Sequence, residues 1–418
     1  MRITQDKFLN LSTCIYFIII YLSDNIAGNS SILVVPMLLF LLCSYLTHGR
    51  KIKVMITPLH LYILAFALFT LLSSLWATDR SLTLPKFNAM IFILVAMVVL
   101  MIDNYDDSGI DRLLKSIMYG GYVLSFIVLI LFGFSNVADL LSSSTRIDNS
   151  VINANSLGMS AAYALVIHLY YILARGKLKL EKKDWLILPA VIALIVSGSR
   201  KAMLIVAVGF SGVIILRFWD ENNRKKSWLR LIAFLIVAVI LVVVVLNMSL
   251  FQNLNDRMLD VVEALLGNAT RRTNSVWLRF QYILLGIDLF IQHPLLGVGI
   301  GNSNYYTELN FGINHYLHTN IFELLACGGL IGFCIYYSMY AYILYTMIKY
   351  RKYRTREYDV CMTLLIIQLF IGFALVQYFS KTVYIYLLLF YLEARKLKNA
   401  AKQAQQLTVD PADVTILE

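Results

Sequence analysis

The chain has 418 residues, of which 59% are hydrophobic and 15% charged, and its formal net charge is +11. Its mean hydropathy of +0.72 excludes a soluble multidomain protein, because most of this apolar surface would have no interior to occupy. A positive charge of this size could indicate nucleic acid, but the distribution of the charges along the chain argues against that partner.

Twelve apolar runs of helical length follow one another along the chain and predict twelve transmembrane helices. The first run follows Arg2 and Lys7 as in a signal sequence. No small-residue cleavage site follows it convincingly, so we interpret it as an uncleaved helix. The runs cover residues 8–22, 32–46, 59–75, 90–101, 117–132, 157–173, 185–196, 202–216, 231–246, 321–347, 362–377 and 383–392.

The basic residues orient these helices. Of the 36 Lys and Arg residues, 26 lie on the side of the N-terminus and ten on the other side. Cytoplasmic loops of membrane proteins carry the excess of Lys and Arg, so we expect both termini in the cytoplasm. Topology does not require the ten external basic residues, and some of them are therefore expected to bind an anion.

The lengths of the loops divide the chain into four parts. We predict helices 1–9 over residues 1–247, a long external loop over 248–317, helices 10–12 over 318–395 and a cytoplasmic tail over 396–418. Apolar residues at helical spacing predict two amphipathic helices in the external loop, over 251–266 and 277–291, lying at the outer membrane interface. The glycine-rich segment Gly297–Gly301 follows them and is expected to be flexible.

Two arginines on the external side suit an anion. Arg200 follows a run of about 12 residues, roughly 18 Å of helix, so it is expected below head-group level, where an unpaired guanidinium is costly. Arg279 begins the second amphipathic helix, and its planar fork of donors suits phosphate oxygens. The structural alternatives are a snorkelling interfacial arginine for Arg200 and a polar-face residue for Arg279.

His318 stands near the start of a helix, whose positive end would help to keep the imidazole neutral and able to accept a proton. Asn320 and Glu323 resemble a capping box at this start. His315 and His318 have a spacing that suits a metal, but zinc needs a third ligand and none accompanies them, so no metal or other cofactor is expected.

Arg146 and Asn155 flank the entry to the sixth predicted helix. Asn155 could simply cap that helix. The candidate polar residues on the external side therefore come from four separate parts of the sequence, near positions 150, 200, 279 and 318.

Together these residues resemble the bacterial O-antigen polymerase and O-antigen ligase superfamily. The matching features are the Ser199–Arg200 turn, Arg146 nine residues before Asn155, Arg279 fifteen residues before Pro294, His318 followed by Gly329 and Gly332, and the turn Trp76–Asp79. The resemblance extends over roughly residues 70–335 and is most specific between Arg279 and Gly332.

The resemblance implies a GT-C-like, all-α integral membrane glycosyltransferase in the bacterial inner membrane, with its active site facing the periplasm. Its donor would be an oligosaccharide on undecaprenyl pyrophosphate, and its acceptor a sugar hydroxyl on a lipid-linked repeat unit or on the lipid A core. A chain-length regulator protein would be a further partner. The reaction would invert the anomeric carbon without a metal. His318 would be the catalytic base, and the substrate would be bound by Arg200, Arg279, Arg146, Lys201, Glu323 and Asn155.

Three functions compete. The Ser197–Lys201 turn looks more like that of the polymerases, which favours a polysaccharide polymerase over an O-antigen ligase. A transporter or flippase of lipid-linked sugars is the alternative from another class. The predicted helix interiors hold almost no charge and the two halves of the chain do not resemble each other, which argues against transport.

Overall fold

A computed structural model describes residues 11–21, 55–104, 108–133, 153–176, 181–218 and 275–409, with a few isolated positions between these ranges. Within them the chain is helical and forms no β-strand. The α-helices are α1 (Leu11–Tyr21), α2 (Pro58–Ser73), α3 (Arg80–Asn104), α4 (Gly109–Phe132), α5 (Ala154–Ala174), α6 (Leu188–Ser197), α7 (Arg200–Phe218), α8 (Ser275–Gln292), α9 (Ser303–Phe311), α10 (Asn320–Lys349), α11 (Tyr358–Ile371) and α12 (Lys381–Val409). Short 3-10 helices, Lys182–Ile187 and Arg351–Tyr353, precede α6 and α11.

Five of these helices, α3, α4, α5, α7 and α10, are long and apolar enough to cross a membrane. Large apolar side chains also stay exposed along α2, where Leu61, Leu68 and Leu72 are 56%, 48% and 54% exposed. Such a surface suits contact with lipid tails. The predicted all-α integral membrane protein is therefore confirmed. The total of twelve transmembrane helices and the GT-C-like arrangement stay predictions, because the runs at 32–46 and 231–246 fall almost wholly outside the described residues.

The boundaries differ from prediction at the start of α3. This helix begins at Arg80, ten residues before the predicted run. Asp79 caps it, since its carboxylate accepts the backbone N–H of Ser81 at 2.8 Å. Arg80 and Lys86, predicted to lie in an external loop, are therefore helical.

The external segment that precedes α10 contains two described helices. The predicted second amphipathic helix is present as α8, whereas the predicted first one, over 251–266, lies outside the described residues. The nine-residue α9 is not predicted by the sequence pattern, because its apolar and polar residues are mixed. At the other end of the chain, α12 continues through the first part of the predicted tail.

Two external basic residues have aromatic partners inside the bundle. The ammonium group of Lys86 lies 3.7 Å from the ring centroid of Phe379, and that of Lys381 lies 5.6 Å from the ring centroid of Phe92. Lys86 and Phe92 belong to α3, whereas Phe379 and Lys381 lie just before and at the start of α12. Two cation–π contacts therefore join α3 to the start of α12. Binding an anion is not needed to explain these two lysines.

Small residues allow α5 to pack closely against its neighbours. A Cβ at Gly158 of α5 would lie 2.4 Å from Ser197 Oγ, and one at Gly209 of α7 would lie 2.3 Å from Val166 of α5. Close approach at small residues is a main source of helix association in membranes. In this way α5 contacts α4, α6 and α7, while α10 contacts α2, α8 and α12.

The helix α10 is broken at Gly329, which has φ of +58° and ψ of −165°. The break frees backbone groups on both of its sides. Before the break, the carbonyls of Ala326 and Cys327 accept the N–H groups of Val298 at 3.0 Å and Gly299 at 2.9 Å. Both donors belong to the segment Pro294–Asn302 that follows α8, which we name the central loop.

The central loop also satisfies the groups after the break. The N–H of Leu330 donates to the carbonyl of Pro294 at 2.8 Å, and the N–H of Ile331 donates to that of Leu295 at 3.1 Å. Four hydrogen bonds thus replace those that a continuous helix would have made. The expectation of a flexible segment at Gly297–Gly301 is therefore wrong, because the backbone there is paired and Ile300 is fully buried.

The opposite edge of the central loop is bonded to the turn between α2 and α3. The N–H of Ile300 donates to Ser73 Oγ at 3.1 Å, and its carbonyl accepts from Thr83 Oγ1 at 2.9 Å. Asn302 Oδ1 accepts the N–H of Asp79 at 2.7 Å. The loop is consequently held from two sides, and it connects α2 and α3 to α10.

We predict that Gly329→Ala destabilises the protein more than Gly312→Ala. Gly312 has a left-handed backbone, where a side chain costs about 1–2 kcal/mol, whereas Gly329, with ψ of −165°, lies in a region that essentially only glycine adopts. A Cβ at Gly329 would also lie 2.4 Å from the backbone carbon of Leu295, whereas a Cβ at Gly312 would meet no atom within 4 Å. Thermal unfolding of the two purified variants in detergent measures the difference, and equal midpoints would contradict the role given to the break.

Candidate active site

His318 lies between α9 and α10 and has a left-handed backbone, with φ of +62°. Within the described ranges it is the one residue other than glycine with positive φ. This conformation is unfavourable for a residue with a Cβ and is frequently found where function requires it. Thr319 caps α10 immediately afterwards, since its hydroxyl accepts the N–H of Phe322 at 3.1 Å.

Aromatic rings surround the imidazole of His318. Its centroid lies 4.4 Å from that of His315, 4.9 Å from that of Tyr316 and 5.8 Å from that of Tyr282. Tyr282 belongs to α8, so this stack joins α8 to the segment before α10. Sequence reasoning misses Tyr282, although its spacing of three residues from Arg279 places both on one face of α8.

The two histidines contact each other as stacked rings, with their planes 25° apart. No group of three or more His, Cys, Asp or Glu residues within the described ranges is placed to hold a metal ion. His315 thus contributes to the aromatic surroundings of His318.

The environment of His318 favours the neutral ring. Its pKa is lowered to about 3, first by burial and then by the charges of His315, Arg279 and Lys201. Burial is the leading cause because an imidazolium loses its hydration there. The ring is therefore neutral at pH 7 and able to accept a proton.

Three basic residues from two distant parts of the sequence, Arg200, Lys201 and Arg279, interact electrostatically. Arg200 and Lys201 are the first two residues of α7, and Ser199 caps that helix by accepting the N–H of Ala202 at 3.4 Å. Lys201 lies within electrostatic range of both Arg200 and Arg279, and Arg279 within range of His318. The convergence of the two arginines on one diphosphate stays a prediction.

Glu323 is 1% exposed and holds the segment before His318 in place. One carboxylate oxygen accepts from Ser303 Oγ at 2.6 Å, and the other accepts the backbone N–H of Leu317 at 2.9 Å. The predicted capping box with Asn320 is wrong, because Thr319 supplies the cap one residue earlier and Glu323 binds groups outside the helix. A direct contact of Glu323 with substrate stays a prediction, and its hydrogen bonds support a positioning role.

Asn320 anchors the start of α10 to the loop between α11 and α12. Its backbone N–H donates to the carbonyl of Gly372 at 2.7 Å. Its side-chain oxygen accepts the N–H groups of Gln377 at 2.9 Å and Tyr378 at 3.0 Å. The residue therefore fixes the helix that follows His318, and these contacts assign it a structural role.

The remaining candidates lie at the entry to α5. Arg146 is outside the described residues. Asn155 does not cap α5, because the side chain of Asn153 is the cap and accepts the N–H of Asn155 at 2.9 Å. Asn155 lies one turn before Gly158, the residue that packs against the turn between α6 and α7.

The fold and the site define a helical membrane protein with a neutral imidazole and several cations grouped near the starts of α7, α8 and α10. Residues 185–337 match the family of O-antigen ligases. This match supports the resemblance to the O-antigen polymerase and ligase superfamily that the sequence analysis identified. A search of curated proteins gave no match. The matched region contains Arg200, Lys201, Arg279, His318 and Glu323, whereas Arg146 and Asn155 precede it.

We predict that Glu323→Ala lowers both stability and turnover, and that Glu323→Gln retains much of both. Alanine would leave the N–H of Leu317 without its acceptor, at a cost of about 1–3 kcal/mol. Glutamine can still accept from Leu317 and donate to Ser303. Unfolding midpoints and steady-state rates measure the effects, with Glu308→Ala on the exposed face of α9 as the control. A selective rise in KM for Glu323→Gln, with unchanged stability, would instead indicate direct substrate binding.

Proposed function

We propose that the protein is a polytopic glycosyltransferase of the bacterial inner membrane with its site facing the periplasm. It transfers an oligosaccharide from undecaprenyl pyrophosphate to a sugar hydroxyl. The neutral imidazole of His318 beside Arg279 and Lys201 is the observation that carries this proposal. A proton acceptor next to fixed positive charge suits a reaction in which a hydroxyl attacks and an anionic diphosphate leaves.

The cations stabilise the leaving group. As the bond between the anomeric carbon and the diphosphate oxygen breaks, negative charge develops on that oxygen. Arg200, Arg279 and Lys201 neutralise this charge, and Arg146 contributes from the entry to α5. The planar guanidinium groups bind phosphate oxygens through paired N–H donors. These side chains take the part that a divalent metal plays in other transferases.

His318 accepts the proton of the attacking hydroxyl. Arg279 and Lys201 lower the pKa of His318, and the negative charge of a bound diphosphate would offset their effect. Binding of the donor therefore raises that pKa and makes the ring a stronger base. Direct displacement by the hydroxyl inverts the anomeric carbon.

The acceptor decides between polymerase and ligase. The Ser197–Lys201 turn resembles the polymerases, which favours an acceptor on a lipid-linked repeat unit and a chain-length regulator as partner. The match to the family of O-antigen ligases fits either reaction, and transfer to the lipid A core is the second candidate. Transport of lipid-linked sugars explains neither the base nor its surrounding cations.

We predict that His318→Ala lowers turnover by about 10²–10⁴-fold, because a positioned base typically contributes that much. His318→Asn should lose a comparable amount, although asparagine tolerates the left-handed backbone, so the loss would reflect the missing base and not strain. His293→Ala, at an exposed histidine beyond the end of α8, is the matched control and should keep its activity. Turnover of lipid-linked donor by purified protein is the measurement, and near-normal turnover of His318→Asn would exclude the base assignment.

The pH profile gives a second prediction from the same residue. With a pKa of about 3 in the free enzyme, His318 is almost wholly neutral above about pH 5. The ratio kcat/KM, which reports the free enzyme, should therefore stay level from about pH 5 to 8 and fall only in stronger acid. An acid limb centred near the ordinary histidine pKa would contradict this environment for His318.

Complementation separates the two candidate reactions. Expression in a polymerase-null strain is expected to restore the polysaccharide ladder on a gel, and His318→Ala should fail in the same strain. Restoration only in a ligase-null strain would assign the lipid A core as acceptor. Failure in both strains, with the protein present in the membrane, would count against the proposed transferase.

A further inference from the structure

A cavity of about 380 Å³ lies at the end of α5 remote from the turn between α6 and α7. It opens between the first turns of α4, the last turn of α5, the 3-10 helix before α6 and the start of α11. Because α4 and α5 are both long enough to span a membrane, their ends place this cavity at the level of lipid head groups. Its volume suits a small polar ligand.

The three carboxylates that line this cavity are paired within the protein, and that of Glu357 lies 3.6 Å from the ammonium of Lys396. Both oxygens of Asp184 accept from Arg175, at 2.7 and 2.9 Å. Hydrogen bonds from Arg175 lower the pKa of Asp184 to about 2, so this carboxylate stays ionised and paired. The carboxylate of Asp111 contacts the ammonium of Lys115 at 2.5 Å and the hydroxyl of Tyr171 at 2.7 Å.

The cationic side chains that line the cavity carry more N–H donors than the number of acceptors that they contact. Lys115 contacts Asp111, Lys183 contacts Glu181 at 2.8 Å, and Arg356 donates to one backbone carbonyl at 3.3 Å. A lysine carries three N–H donors and an arginine five. Their side chains also reach solvent, since Lys115 is 43% and Lys183 56% exposed. The cavity therefore offers an excess of N–H groups to a ligand that accepts hydrogen bonds.

A buried histidine also belongs to the cavity wall. His168 is 4% exposed, and its Nδ1 is hydrogen-bonded to the hydroxyl of Tyr122. Its Nε2 makes no hydrogen bond and lies 3.4 Å from Asp184 Oδ1.

We propose that this cavity binds a phosphate group, held by Lys115, Lys183 and Arg356. Lysine and arginine are the side chains that recognise phosphate. The cavity lies at the membrane face that carries most of the basic residues, where anionic head groups are attracted. The phosphate belongs either to the head group of an anionic membrane lipid or to a free phosphate ion. The site is separate from His318 and independent of the proposed transferase reaction.

The test compares Lys183→Ala with Lys182→Ala, a neighbouring exposed lysine that does not line the cavity. In one arm, native mass spectrometry measures phosphatidylglycerol retained by protein from nanodiscs of phosphatidylcholine with and without phosphatidylglycerol. In the other arm, inorganic phosphate is titrated into protein in detergent and the unfolding midpoint is recorded. Arg356→Gln is the second variant, because it alters the opposite wall.

We expect about fivefold weaker phosphatidylglycerol binding in Lys183→Ala and Arg356→Gln than in the wild type and Lys182→Ala, as expected for one basic contact near a membrane. This result assigns a lipid head group. A rise in midpoint with inorganic phosphate that is lost in the same two variants, without retention of phosphatidylglycerol, assigns free phosphate. If Lys183→Ala and Arg356→Gln match Lys182→Ala in both arms, the proposal is overturned.

Discussion

The pairing of the central loop with the broken helix α10 is the interaction on which the site depends. A helix within a membrane cannot leave backbone groups unpaired, because no water is present to bond them. The break at Gly329 releases such groups, and the loop after α8 pairs four of them. Since that loop follows α8 directly, the pairing fixes the register of α8 against α10. Arg279 and Tyr282 are thereby set relative to His318.

The electrostatics of the site follow from that arrangement. Cations from α7 and α8 are brought near one another and near a buried imidazole, so these cations repel one another. An anionic ligand relieves this repulsion, and it does so at the place where leaving-group charge would appear. The strained backbone of His318 is held on both sides. Glu323 accepts the N–H of Leu317 just before it, and Thr319 caps α10 just after it. Position and charge at this site are thus supplied by different residues.

Much of the fold could be predicted from the sequence, because apolar runs of transmembrane length specify helices directly. His318, Arg200 and Arg279 were recognisable from their spacing and from the polar character of the segments that carry them. The break at Gly329 was not, since Gly328 and Gly329 stand in an apolar run and the groups that stabilise the break lie some thirty residues earlier. The start of α3 and the role of Glu323 were missed for a similar reason. Each depends on which of several neighbouring polar residues caps a helix, and tertiary contacts make that choice.

The length of α12 has a mechanical consequence. Its 29 residues form a rod of about 43 Å, longer than the roughly 30 Å hydrocarbon layer. The first residue of this rod, Lys381, is clamped to α3, and the loop just before it is bonded to Asn320, close to His318. A tilt of about 10° around that clamp would move the far end by about 7 Å. A rearrangement that tilts α12 about this clamp would therefore displace its far end much more than its start.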